Sequence, residues 1–274
     1  MFNNLSSENK YALKSIIKSF FPLYAAIFAQ QFLGIFVNLL DNFMLGRYSE
    51  AAMSGATVAN QFISLMWNIV FGVSTGAVTL GSQYWGKGQT EPIRKIFASG
   101  LKLAAGIGLI FTLALMIFPR QILGLVTNDI GILDEAVDYM SVICFTFVIY
   151  AVSNQLMVSL QSVETAHVGM IMSGCTILIN FCFNYVLIYG NFGAPRLGIK
   201  GAAIATLISR CMELIIVLIY LFVFDKKLKI KPKELFALRT GYIKDLLAVA
   251  YPVMITGFSW GLGLACQTTI LGHV

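Results

Sequence analysis

Charged side chains are scarce in this 274-residue sequence: Asp, Glu, Lys and Arg make up 12% of it, against about a quarter in soluble domains. Hydrophobic residues fill 58%, and the mean hydropathy is +0.79. In water such a chain would expose large apolar patches; a bilayer solvates them, so an ordinary soluble globular domain is excluded. Catalytic templates are missing too. No Gly-rich loop closes on Lys-Ser/Thr, so no nucleotide-driven motor is encoded, and neither HExxH nor GxSxG occurs. The chain therefore reads as no enzyme and as carrying no cofactor. Two histidines give no metal cluster. The five cysteines (Cys144, Cys175, Cys182, Cys211, Cys266) lack CxxC or CxxxxH spacing, which argues against a disulfide framework or structural metal; they read as small packing residues. A cleavable signal peptide is not expected either, because the first apolar stretch is too long and runs on into Asp41.

What is present is a series of long apolar runs. Crossing hydrocarbon takes roughly 20 helical residues, and seven runs qualify: about 19–45, 54–80, 97–118, 139–160, 168–190, 201–224 and 246–270. All are expected to be helices, since a lipid-exposed backbone must satisfy its own hydrogen bonds. The net charge of +6 sits beside these runs, which suits anionic lipid headgroups rather than nucleic acid. Lys10, Lys14 and Lys18 recur every four residues and predict a short basic amphipathic helix over 1–18, at the membrane surface. With them on one side go Lys87, Arg94, Lys95, Lys226, Lys227, Lys229, Lys231, Lys233, Arg239 and Lys244; the other side holds only Arg47, Arg120, Arg196 and Lys200, with an acidic loop of Asp129, Asp134, Glu135 and Asp138. This asymmetry predicts a multi-pass protein of the cell membrane with a cytoplasmic N-terminus.

The basic stretch 225–245 separates six spans (19–224) from a seventh (246–274). Phe21-Pro22 heads the first span and Tyr251-Pro252 the seventh, and each run ends in Leu-Gly (Leu45-Gly46, Leu271-Gly272). Whole-lobe repeats are a common transporter design; a second lobe would need roughly another 180 residues, so the sequence is expected to be truncated. The fold expected is an all-α membrane protein: a six-helix lobe plus a seventh helix, half of a twelve-helix two-lobe transporter.

Ionisable and amide groups inside the spans are the functional candidates. Asp41 lies near the outer end of span one. Thr176, Asn180 and Asn184 repeat every four residues on span five, one straight stripe, and Thr206 lies about a turn inside span six. By depth, Asp41, Asn180, Asn184 and Thr206 all reach the outer half of the membrane, where a carboxylate, amide oxygens and a hydroxyl suit a proton or Na⁺. The competing readings are an interfacial helix-end residue beside Arg47 for Asp41, and interhelical hydrogen-bond glue for the amides. Gln61, Ser64 and Asn68 on span two, and Tyr150, Asn154 and Gln161 on span four, form further stripes that either line a cavity or hold helices together. From these, Gln61, Asn68, Tyr150 and Asn154 are the candidate cavity residues. Arg210 and Glu213, three apart in span six, read as a mutually neutralising structural pair. No metal is expected beyond Na⁺ at Asp41.

Four segments carry a family resemblance: Asp41-Asn-Phe-Met-Leu-Gly-Arg47; Gly72-x-x-x-Gly76 with Gln83-Tyr-Trp-Gly86; Asn180-Phe-Cys-Phe-Asn184; and Leu197-Gly-Ile-Lys-Gly-Ala-Ala-Ile-Ala-Thr206-Leu-Ile-Ser-Arg210. Together they resemble the multidrug and toxic compound extrusion (MATE) transporters, whose superfamily also holds polysaccharide and lipid-linked-oligosaccharide flippases. The resemblance implies a twelve-helix antiporter that expels small organic cations by alternating access, driven by H⁺ or Na⁺, with Asp41, Asn180, Asn184 and Thr206 as the first-lobe ion site. A flippase is the alternative within the superfamily; an inactive fragment or a non-transporting scaffold are the others. The chain departs from the pattern where it has Asn184 in place of a second acid and Tyr48-Ser49 in place of a second Gly. One carboxylate leaves H⁺ and Na⁺ both open.

Overall fold

The computed structural model describes residues 7–230 and 241–272, with backbone only for 7–20, 264, 265 and 267–272. The described residues are helical throughout, without a strand: α1 (Ser7–Tyr48), α2 (Glu50–Gly86), α3 (Thr90–Ile117), the single turn α4 (Pro119–Leu123), α5 (Ile130–Ile143), α6 (Thr146–Gln161), α7 (His167–Tyr189), α8 (Ile199–Ile219, widening into a π turn over Tyr220–Phe224) and α9 (Ile243–Gly272). Six helices are long and apolar enough to cross a membrane, and α5 and α6 meet the same test only as a bent pair. Phe28, Phe32, Ile110 and Leu178 on the outside of the bundle are more than half exposed, as lipid-facing residues are.

Local chemistry sets the breaks. Ser49 is extended and its hydroxyl accepts from Ala52 N, which ends α1 and caps α2. Gly190, at φ +75°, terminates α7 in the left-handed conformation that glycine adopts without strain. At the far end, Asp225 carboxylate oxygens accept from the backbone N–H of Lys227, Leu228 and Lys229, while Lys227 Nζ donates to the Val163 and Glu164 carbonyls after the last turn of α6.

Two expectations are corrected. The fourth span was expected over 139–160 behind an acidic loop; the chain is already helical from Ile130, capped by Asp129, whose carboxylate accepts from Ile132 N. Ala136, Tyr139, Met140 and Ile143 give α5 a buried face; Asp134 and Asp138 point outward, onto Arg120 and Lys200, and the half-buried Glu135 packs against Gly55 of α2. The pair bends by 52° between Ile143 and Thr146. There Thr112 of α3 donates to the Cys144 carbonyl at 2.9 Å and Gly108 lets α3 close onto the Phe147 backbone. Second, no helix break separates residue 18 from span one, because α1 runs through Pro22 without interruption; the side chains of Lys10, Lys14 and Lys18 lie outside the described residues. Only the two flanks of the 225–245 connector are described; Lys231, Lys233 and Arg239 fall outside, and α9 starts at Ile243.

Glycine sets two close helix contacts. Gly72 and Gly76 of α2 face Met254 and Ala250 of α9, and Gly257 and Gly261 of α9 face Asn68 and Leu65 of α2. This is reciprocal small-xxx-small packing. On the other side Gly201 of α8 lies against the Leu187 carbonyl of α7, which brings the polar faces of those two helices together.

Candidate functional site

Asp41 sits about two turns inside the end of α1. Tyr189 of α7 donates its hydroxyl to the Met44 carbonyl at 2.8 Å, one turn from Asp41, and the Arg196 guanidinium lies 4.8 Å from the Tyr48 ring centroid. These clamps hold α1 on α7 and fix what meets Asp41. Asn184 Nδ2 donates to Asp41 Oδ1 at 2.5 Å and to Asn180 Oδ1 at 3.0 Å; Asn180 Nδ2 donates to Thr206 Oγ1 at 3.3 Å. The four expected residues thus form one chain across α1, α7 and α8. Asn180 and Asn184 are almost completely buried. Tyr139 of α5, also buried, adds its hydroxyl beside Thr206. Thr176 turns away and bonds its own helix at the Met172 carbonyl. Asp41 has no cation within ion-pair distance among the described residues; its direct hydrogen-bond partner is an amide.

Below this layer two adjoining cavities open between α1, α2, α6 and α8, about 230 and 270 Å³. Gln30, Gln31, Tyr150, Asn154 and Met157 line both. Tyr150 and Asn154 thus stand where the sequence reading placed them. Gln61 and Asn68 do not: they line neither cavity. Asn68 faces Gly257 of α9 and donates to the Ser64 carbonyl, and both amide atoms of Gln61 are buried without a hydrogen-bond partner among the described residues. On α2 it is Trp67, one position from Asn68, that lines the first cavity, and Phe71, Ser74, Thr75, Val78 and Thr79 that line the second. Asn154 donates to Ser74, which donates to Gln155; Gln161 donates to Gln30, which donates to Met157 Sδ at 3.3 Å. Sequence reading missed Gln30 and Gln31, although two adjacent amides inside an apolar run were a legible signal.

Arg210 Nη1 donates to Glu213 Oε2 at 2.7 Å, so the expected pair forms, but on a cavity wall rather than in a sealed interior.

A family model described as MatE matches residues 26–186, more than half of the chain and including Asp41, Asn180 and Asn184. The chain belongs to the MatE family. Among MatE relatives it is similar to the "Probable multidrug resistance protein NorM" of Thermotoga maritima, 26% identical over 270 residues, 96% of this chain and 56% of the relative. A protein of the same description from Listeria monocytogenes is 24% identical over 261 residues, covering 94% and 55%. The chain spans about half the length of the curated relatives it matches. In fold it is similar to a solved structure described as the outward-facing conformation of a multidrug resistance MATE family transporter of the MOP superfamily. The TM-score is 0.80 at 18% identity, over 90% of this chain and 54% of that one. It is also similar to a MOP superfamily transporter from Pyrococcus furiosus, with a TM-score of 0.78 at 17% identity, over 93% and 62%.

Proposed function

We propose that this protein takes part in multidrug efflux as the first lobe of an ion-coupled antiporter for organic cations, with Asp41, Asn180, Asn184 and Thr206 as the coupling site. The observation that carries the reading is the carboxylate of Asp41, placed among apolar spans and held by a buried amide instead of a counter-charge. An ionised group in that setting is costly unless a cation or proton neutralises it. The site suits either. For a proton, Asn184 and Asp41 keep their contact in both charge states. For Na⁺, oxygen donors are at hand: Asp41 Oδ1 and Oδ2, Thr206 Oγ1, and Asn184 Oδ1, which is buried with no partner among the described residues.

The proposed cycle follows from charge. With Asp41 ionised, the lobe attracts an organic cation into the cavities lined by Trp67, Tyr150 and Asn154. Neutralising Asp41 removes that attraction, releases the cation and lets α1 repack on α7. The family's transporters, including the relatives described as multidrug resistance proteins, support this reading over a lipid-linked-oligosaccharide flippase. The basic end of the bundle, with Lys87, Lys95, Lys226 and Lys227, is assigned to the cytoplasm, and α9 to the start of a second lobe.

The test is efflux of a fluorescent organic cation from cells expressing the protein. Asp41→Asn is expected to abolish efflux above background at equal expression. Wild-type efflux from that variant removes Asp41 from the mechanism.

A further inference from the structure

Glu213 and Arg210 lie one turn apart on α8 and line the 230 Å³ cavity; their side chains keep 9% and 18% exposure. The Arg210 guanidinium carbon is 5.3 Å from the Trp67 centroid and 5.1 Å from that of Tyr150, and those two rings stack at 4.9 Å. A carboxylate beside two aromatic faces attracts planar, delocalised cations, and Arg210 is such a cation on a tether. Its other neighbour is the coupling layer. Thr206, one turn along α8 from Arg210, bonds Asn180, and Arg210 is within electrostatic reach of Asp41. Among the described residues the charged or titratable groups facing this region are Asp41 from α1, Tyr139 from α5, Tyr150 from α6, and Arg210 and Glu213 themselves. Arg210 is therefore paired with one carboxylate, Glu213, and lies within electrostatic reach of a second that has no ion-pair partner among the described residues.

We propose that Glu213, Trp67 and Tyr150 form an acceptor for a planar organic cation of the amidinium or guanidinium type, and that Arg210 fills this acceptor until the cation displaces it toward Asp41. The assignment rests on the transport reading only for its place in the cycle; binding itself requires no gradient. Two carboxylates and one guanidinium leave a net charge of −1, so the region takes one further positive charge. That charge is either the organic cation at Glu213, with Arg210 turned to Asp41, or the coupling ion at Asp41, with Arg210 back on Glu213. The two exclude each other through Arg210, although they bind at different carboxylates.

The experiment is equilibrium binding of benzamidinium to the purified protein in detergent, read by tryptophan fluorescence and calorimetry. Wild type is expected to bind saturably, and tetramethylammonium, equally charged but not planar, to bind more weakly. Arg210→Met removes the built-in competitor and should tighten benzamidinium binding by about tenfold or more, whereas Glu213→Gln should weaken it by a similar factor; tenfold corresponds to about 1.4 kcal/mol. Asp41→Asn denies Arg210 its second carboxylate and should also weaken binding. If Arg210→Met fails to fold, Arg210→Lys keeps the charge, loses the planar fork, and should still bind benzamidinium more tightly than wild type. Glu213→Gln binding as wild type does, or a folded Arg210 variant binding no more tightly, overturns the proposal. Loss of efflux without this binding pattern leaves the transport reading standing and sinks the acceptor; the binding pattern with efflux intact in Asp41→Asn does the reverse.

Discussion

Gly201→Ala tests the contact on which the Asp41 chain depends. A Cβ at position 201 would lie 2.5 Å from the Leu187 carbonyl oxygen and 2.6 Å from its carbon, about 0.9 Å short of the 3.4 Å at which ordinary contact begins. The atoms it meets are backbone, so no side chain can rotate away, and α8 must separate from α7. Overpacking of this kind costs about 1–3 kcal/mol. The separation has a chemical consequence as well. Asn180 Nδ2 and Thr206 Oγ1 stand at 3.3 Å, already long for a hydrogen bond, and a few tenths of an ångström more carries them past 3.6 Å, where none remains. A bond of this type contributes about 0.5–1.5 kcal/mol. The assay is thermal denaturation in detergent, run as a double-mutant cycle with Thr206→Val. In the wild-type background Thr206→Val should destabilise by the bond's worth; in the Gly201→Ala background it should cost almost nothing further, because the bond is already gone. Gly201→Ala as stable as wild type, or an undiminished Thr206→Val effect in its presence, refutes the reasoning.

Three further outcomes are expected. Ser74→Ala leaves the buried Asn154 amide without its acceptor and Gln155 Oε1 without its donor, and should cost about 1–3 kcal/mol in the same melting assay. Gly76→Leu, facing Ala250 at 2.9 Å, should force α9 off α2 and lower the melting temperature more than Gly106→Leu, where nothing lies within 4 Å. Gly190→Ala puts a side chain at φ +75° and against the Arg196 backbone; the left-handed conformation alone costs about 1–2 kcal/mol, and a variant melting like wild type would contradict that cap.

Depth along a span is the quantity a sequence displays most directly, because rise per residue is constant. That is why Asp41, Asn180, Asn184 and Thr206 were legible as neighbours: each lies about one and a half to two and a half turns from the helix end on the same side of the bundle. Azimuth is harder. An apolar helix shows a clear stripe only where its surroundings differ from side to side, and α2 is wrapped by α1, α3, α5, α6 and α9. Gln61 and Asn68 therefore read as a cavity stripe, whereas Trp67 and the face from Phe71 to Thr79 line the cavities and Asn68 turns to α9. The bend between α5 and α6 had no local signal, since Cys144-Phe145 carries neither Pro nor Gly. What marks it is a long-range contact: Thr112, 32 residues earlier, donates its hydroxyl to the Cys144 carbonyl, which also accepts from Phe147 N. The acids of α5 misled in the other direction: charge suggested a loop, but Asp134 and Asp138 occupy the outward face of a helix whose other face is core.

The partner given to each carboxylate separates their roles. Glu213 faces a guanidinium at 2.7 Å, a charge-assisted bond that leaves the pair neutral. Asp41 faces amides, which lower the cost of its charge by hydrogen bonding without cancelling it. Had α7 supplied an arginine at position 184, the outer layer would be neutral and closed, and no mobile ion would gain by entering. Had α8 supplied no arginine at 210, two negative charges would face the cavity and a monovalent ion would not balance them. The arrangement present, one positive charge paired with Glu213 and none paired with Asp41 among the described residues, leaves a deficit of a single unit. That deficit is what a one-for-one exchange of coupling ion and organic cation requires in the proposed cycle, and it depends on the reach of Arg210 rather than on any direct contact between the two ligands.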